Sequence, residues 1–428
     1  MHRLPRFPLA VVAAALVAAI AGSSAAASPP APDRAITTLA KKKRKAPRRG
    51  GHVRAAWPAN PDRPAPKRAL VRWLARQAGP ERRTRSLAAA SDKLLLIRSF
   101  DIPSSDAAHD RLANYSFTYD NALATFAFIS VGAKTQAEQL LDQLKALQRT
   151  DGSIEYAFDV STGASAPQVR AGALAWVGYA ASAYRNTYDS TRYDTLIAGI
   201  ARYLLNLRNS SNLIKGGPDV SWVSTQHNLL AIGFLRDIAA DLGSKGTLGS
   251  GLSSSDLTTA QTAIANAVLS QLLAQDGSLY YFRQGVGDGK VPADVQALGA
   301  MYLDLRNDSR ASKVAEYLRQ RFYVSPRAGT AGTLAGYKPF YGTGSPDVIW
   351  SEGTLEASLA FDRTGVDETA SDDAVRRLLL TIKGVEGPAG ADRDVDNADW
   401  GEYHTWATSA AGSWLLIRAA PRQLLFAR

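Results

Sequence analysis

The 428-residue chain contains no cysteine, only two methionines and only five histidines. Without cysteine there is no disulfide, no thiol nucleophile and no thiolate metal centre, so stability must come from a large packed core. Beyond residue 100 only His109, His227 and His404 remain, which makes a transition-metal site a poor expectation, and no metal and no cofactor are expected. The chain has no G-x-S-x-G elbow, no H-E-x-x-H and no Walker loop. It has no second apolar run long enough to cross a bilayer.

The apolar run at the start is itself too short for a comfortable transmembrane helix. Arg3 and Arg6 precede an apolar stretch from about Leu9 to Ala21, followed by small residues with Ala25-Ala26-Ala27 as an A-x-A site. Residues 1–27 are therefore expected to be a Sec-type signal peptide, and the protein secreted or associated with the cell envelope. The formal charge of +11 is unevenly placed: +2 in residues 1–27, +15 in 28–100 and −6 in 101–428. The basic excess includes KKKRKAPRRG at 41–50, in a stretch rich in Pro and Ala. Residues 28–86 are read as a disordered linker, with 41–54 able to rest on an anionic cell wall or membrane surface. The signal peptide argues against a nucleic-acid partner. The domain proper is expected at 87–428.

From residue 101 onward helical spacing dominates. Six segments are small and apolar almost all round, beginning near residues 119, 168, 224, 294, 351 and 405, at steps of 49, 56, 70, 57 and 54 residues. Helices apolar on every face are buried on every face. Between them lie amphipathic segments such as KTQAEQLLDQLKALQ (134–148) and DDAVRRLLLTIK (372–383), and LAAASDKLLLIRSF (87–100) is expected to supply a sixth. Six inner and six outer helices define an all-α fold, the (α/α)6 toroid or barrel. If the inner helices run parallel, opposite ones sit roughly 20 Å apart. Carboxylates at their N-termini would then approach within about 6–10 Å, the range that suits glycosidic bond cleavage.

The starts of these helices carry an unusual set: Tyr119, Asp120 and Asn121; Trp222, Gln226, His227 and Asn228; Asp294; Trp350 and Glu352; Glu402, Tyr403, His404 and Trp406. Each has a plainer reading. The acids complement a helix dipole, the indoles fill a core, and a lone histidine is packed and hydrogen-bonded. The joint pattern argues otherwise, because the outer helices begin SDDAV, SSSDL and KTQAE, without tryptophan or histidine. Aromatic faces beside carboxylates, amides and imidazole suit a sugar ring. The run ADRDVDNADWGE (391–402) starts like a calcium loop, but Asn397 and Tyr403 stand where the Gly and Glu belong, so it is read as a solvated acidic loop at the ring's mouth.

YSFTYDNALATFAFISVGAKTQAEQLLDQLKALQRTDGSIEYAFD, VSTQHNLLAIGFL and IWSEGTLEASLAF together resemble bacterial secreted proteins of the six-hairpin glycosidase-like superfamily, over most of residues 100–420. The resemblance implies an (α/α)6 barrel, carbohydrate substrates and, commonly, inverting hydrolysis by an Asp/Glu pair. Similar proteins often carry Glu where this chain has Gln226. The expectation is a secreted glycoside hydrolase on a poly- or oligosaccharide, with Glu352 as general acid and Asp120 as base. The remaining residues of the set are expected to bind substrate, with Asp294 and Glu402 as further candidate acids. A polysaccharide lyase using Tyr403, His404 or His227, with Arg170 facing a uronate, and a non-catalytic wall glycan-binding protein are the alternatives. An isoprenoid cyclase shares the toroid, but no D-x-D-D motif is present.

Overall fold

The structure is a computed structural model that describes residues 66–78, 94–243, 246–249, 251–329, 332–367, 369, 387–397, 401–421 and 423–427. The signal peptide, residues 28–65 of the linker, the outer helix expected at 372–383 and residues 87–93 lie outside the described residues.

Six helices form the inner ring: Thr118–Ser130, Ala171–Tyr188, Thr225–Leu242, Ala293–Leu305, Ser351–Thr364 and Ser409–Arg418. Each packs against the next, and the sixth returns to the first, so the ring closes as an (α/α)6 barrel. Closure explains the all-apolar composition, since every face of an inner helix meets another helix. The first helix is buried along its whole length. The outer helices bury one stripe only: in Lys134–Leu147 it is Ala137, Leu140, Leu141 and Leu144. Asp194–Asn206, Ser254–Gln271 and Ala311–Phe322 pack in the same way on the second, third and fourth inner helices.

The sixth outer helix differs from the expectation. Residues 94–100 are not helical: Ile97 bridges Ala78, and Phe100–Asp101 pairs with Ala407–Thr408. Pro66–Arg76, inside the stretch read as linker, packs on the sixth inner helix instead. Its Trp73 is 1% exposed, and a Cβ at Gly412 or Gly387 would run into the indole. Those two glycines let the ring in. Pro at the first helical position and a Leu70-Trp73-Leu74 stripe are the physical reasons this segment is helical.

All six inner helices start alike. The residue before each one, Phe117, Arg170, Ser224, Pro292, Trp350 and Thr408, is extended. Five of the six enter the ring directly from a short antiparallel strand or bridge, and the second follows the strand Ser165–Ala166 after four residues. At about 100° per residue, the second and fourth positions of a helix point in nearly opposite directions. The fourth position turns outward and clamps the preceding loop. Asn121 accepts from the N–H of Ile97 (2.8 Å), Asn228 from Ile214 (2.8 Å), Gln296 from Phe282 (2.7 Å) and Thr354 from Tyr337 (3.0 Å). The amides of Asn228 and Gln296 also donate back to the same residues' carbonyls. These side chains satisfy backbone groups that the loops would otherwise bury unpaired.

The other end of the barrel is filled by the C-terminal segment. Leu425 and Phe426 are fully buried, with the Phe426 ring 6.1 Å from Tyr179 and 6.0 Å from Tyr302. The Phe426 N–H donates to the Tyr179 hydroxyl at 2.6 Å. Arg236 and Arg363 donate to the carbonyls of Ala427 and Leu425. Replacing Phe426 by alanine leaves a cavity among these rings and is expected to cost about 3–5 kcal/mol. Urea unfolding followed by circular dichroism measures it, and a loss under 1 kcal/mol would show that the plug carries no stability.

Candidate active site

The second residues of the inner helices are Tyr119, Gly172, Gln226, Asp294, Glu352 and Ala410, and all six line one cavity. The third residues Asp120, Ala173 and His227 join them. Counting the open solvent at its mouth, the cavity spans about 1310 Å³. Trp350, Glu402, Tyr403, His404 and Trp406 complete the expected set, arriving from the segments that precede the fifth and sixth helices. The sixth helix itself begins at Ser409, so Glu402 and Tyr403 stand on a strand, Gly401–Tyr403, that pairs with Val395–Asn397.

Three expected residues are not brought together with the rest. Asn121 and Asn228 occupy the fourth position and spend their amides on backbone, so they do not line the cavity. Trp222 also lies outside the lining; it packs over Gly216, its ring 5.6 Å from that of His227. An amide at the second position, such as Gln226, faces the cavity and one at the fourth, such as Asn228, clamps a loop, a difference of two residues that sequence alone does not show.

The acids of the cavity are deeply placed. Glu352 is 8% exposed, Asp294 4% and Asp120 3%. The Tyr119 hydroxyl donates to Glu352 Oε1, and its own oxygen accepts from Trp414 Nε1 at 3.3 Å. That second bond sets the direction of the first, because the phenol proton is left free for the carboxylate. Burial pushes Glu352 well above the usual carboxylate range, against the hydrogen bond from Tyr119, and the charges of Asp120 and Asp294 add to the rise. Burial likewise raises Asp120 to about 7, opposed by the Ser99 hydroxyl. Asp294 is raised by burial to about 6, held down by backbone N–H groups at its helix start. Gln226 Nε2 donates to Asp294 Oδ2 at 2.7 Å.

His227 is lowered to about 3, by burial first and then by the Arg170 charge, so its ring is a neutral donor and acceptor. A Cβ at position 172 would overlap the imidazole, and glycine there is what admits it. Arg170 is the single Lys or Arg among the lining residues, and it is paired with Asp219 at 2.7 Å. At the mouth His404 lies flat on Trp406, centroids 3.7 Å apart and planes 6° from parallel. Trp406 Nε1 donates to Asp106 at 2.8 Å. Both rings line the cavity, but each covers one face of the other.

Sequence reasoning passed over several groups. Glu356, one turn below Glu352, is 1% exposed and raised well above its ordinary value by burial, then by Asp294 and Glu352. Its i, i+4 spacing in SEGTLEAS was the available signal. Trp414 and Tyr156 gave none, one lying mid-helix and the other at the end of a loop. Asp392 is not a solvated loop acid: its side chain is fully buried. Among the described residues no group of three or more His, Asp or Glu side chains is arranged to hold a metal ion.

No family model matches the chain, and no curated protein matches its sequence. Solved structures share its fold. An alpha-amylase from Clostridium perfringens is 10% identical, with a TM-score of 0.56 over 87% of this chain and 99% of that one. A family 76 glycoside hydrolase (mannosidase) from Bacteroides thetaiotaomicron is 10% identical, with a TM-score of 0.55 over 84% and 97%. A cellobiose 2-epimerase from Bacillus thermoamylovorans is 9% identical, with a TM-score of 0.57 over 82% and 97%. The fold is thus the (α/α)6 barrel that these solved structures share, as the resemblance in the sequence implied.

The raised acids make stability depend on pH. A carboxyl whose folded value is raised contributes fully below its unfolded value near 4 and loses that contribution as pH climbs through the folded value. His227 acts oppositely, losing stability as pH falls from about 6.5 toward 3. Five raised carboxyls, the four above and Asp237, outweigh one histidine, so the melting temperature is expected to fall between pH 5 and 8. Asp120→Asn should remove about 1.4 kcal/mol of that loss per pH unit up to about 7. Unfolding measured across this range in both proteins checks it; identical slopes would mean Asp120 titrates normally.

Proposed function

We propose that the protein is a glycoside hydrolase, exported to act on a poly- or oligosaccharide, and that hydrolysis proceeds with inversion. The observation that carries this is the convergence of Glu352, Asp120 and Asp294 in one buried, aromatic-walled cavity. Acid–base cleavage of a glycosidic bond needs one carboxyl protonated near neutral pH and another ionised. Glu352 fits the first role: burial keeps its proton, and the Tyr119 hydroxyl on Oε1 leaves Oε2 to deliver it to the leaving oxygen. Of the two aspartates, Asp294 fits the second role better than Asp120, the base expected from the sequence. It titrates lowest, at about 6, and Gln226 and the helix start stabilise its anion. An ionised Asp294 then takes a proton from the attacking water on the opposite face of the sugar ring.

Gln226 in this arrangement replaces a carboxylate by a group that serves one, and this supports an active enzyme over a non-catalytic binder. The carbohydrate partners named for structural neighbours, glucose for one glycosidase and acarbose for a bacterial glucoamylase, fit the same class of ligand. A lyase needs a cation for the uronate, and Arg170 is already bonded to Asp219, so elimination is the weaker reading.

A glycan panel read by new reducing ends tests the activity. Glu352→Gln is expected to lower kcat by about 10²–10⁴-fold with an unchanged helical circular dichroism spectrum. Asp294→Asn should fall in the same range and Asp120→Asn by less than about tenfold. The opposite ranking would return the base to Asp120, and full activity of Glu352→Gln would remove the acid from the scheme. An unsaturated product absorbing in the ultraviolet would establish the lyase instead.

A further inference from the structure

The acidic run that begins at Asp392 has an internal role in the fold, and that role bears on Glu352. Asp392 Oδ1 accepts from the Ile349 N–H at 2.7 Å, and its own N–H donates to the Ile349 carbonyl at 3.1 Å. Trp350 bridges Ala391, and Ser351 donates its N–H to Gly390 at 3.0 Å. The segment leading into Glu352 therefore lies zipped along residues 390–392. On its other side the Trp350 N–H donates to the Tyr337 carbonyl.

What holds 390–392 is Arg327, from the hairpin of Tyr323–Gly329 with Gly332–Tyr337. Arg327 Nε donates to Asp392 Oδ2 at 2.8 Å and Nη2 to Oδ1 at 3.2 Å, a two-point fork on a fully buried carboxylate. Its remaining donors reach the Asp347 carbonyl at 2.8 Å and carboxylate at 2.7 Å. Arg393 adds a half-exposed contact to Asp392 Oδ2 at 3.2 Å. One guanidinium thus ties three chain segments at the root of the helix that presents Glu352. Two residues on, Asp394 accepts from the N–H and hydroxyl of Thr405, at 2.7 and 3.1 Å, and so holds the opposite wall between His404 and Trp406.

We propose that Arg327 and Asp392 are a positioning pair for the acid: their fork sets the placement of Glu352, and its loss impairs proton delivery before it impairs sugar binding. The proposal rests on Glu352 being the general acid. Neither residue of the pair lines the cavity, and their hydrogen bonds reach Asp347 and Ile349, so their action passes through the backbone of 347–351. A displacement of about 1 Å at a reacting group costs about 10²-fold in rate.

The test compares Arg327→Met, Arg327→Lys and Asp392→Asn with Arg363→Met, which breaks a similarly buried pair with Asp304 (2.8 Å) at the far end of the barrel. On a hydrolysed sugar, Arg327→Met and Asp392→Asn are expected to lower kcat by about tenfold to a hundredfold with KM changed less than about threefold. Arg327→Lys should recover part of the loss, since an ammonium makes one contact and not two. Arg363→Met should lower the melting temperature and leave kcat unchanged. Unchanged kcat in Arg327→Met and Asp392→Asn, or an equal loss in Arg363→Met, would overturn the proposal. Carbodiimide labelling of Glu352, read by mass spectrometry, decides the matter without turnover: labelling should rise in the Arg327 and Asp392 variants only. If no sugar is cleaved by the wild type, the hydrolase reading fails, and unchanged labelling then also ends the positioning claim. Calcium chloride that raises the melting temperature of the wild type but not of Asp392→Asn would make Asp392 a cation ligand and overturn it as well.

Discussion

The site depends on rotational phase in a closed ring. Six helices enter from the same side, each from an extended residue, so equivalent positions face equivalent directions around the barrel. The second residue of every helix then points to the axis and the fourth away from it. A single turn of backbone serves two purposes: it gathers Tyr119, Gln226, Asp294 and Glu352 on one cavity, and it fastens the ribbons that wall the mouth through Asn121, Asn228, Gln296 and Thr354. Insertion of two residues before such a helix would shift its phase by about 200° and exchange the two roles.

Burial supplies the chemistry. The cavity has apolar walls and little positive charge, and desolvation is the first cause of the raised values of Asp120, Asp294, Glu352 and Glu356. What separates one acid from another is small and local. Backbone N–H groups and an amide favour the Asp294 anion, whereas Glu352 feels the charges of two neighbouring aspartates. The difference between acid and base in such a cavity is set by hydrogen bonds of this kind, on top of a shared desolvation.

The far end of the barrel shows what keeps the ring rigid. Phe426 and Leu425 fill it, and two arginines from the third and fifth helices hold the chain there by its carbonyls. With one end plugged and the other clamped by amides and by the Arg327–Asp392 fork, the inner helices have little freedom to slide.

Much of this was legible in residue pattern. Helices apolar on all faces, alternating with helices apolar on one stripe, require a double-layered ring, and polar aromatic-rich starts mark the end where a ligand would sit. The sequence by itself determined the barrel, its repeat and the candidacy of Glu352, Asp120 and Asp294, because burial pattern and helix starts are local properties. Tertiary structure alone decided that Asn121 and Asn228 clamp loops, that Pro66–Arg76 covers the sixth helix and that Asp392 is a buried anchor. Those outcomes depend on which side of a helix faces the axis and which distant loop lies against it. Contacts across 65 residues, such as Arg327 with Asp392, leave no period in the sequence to read.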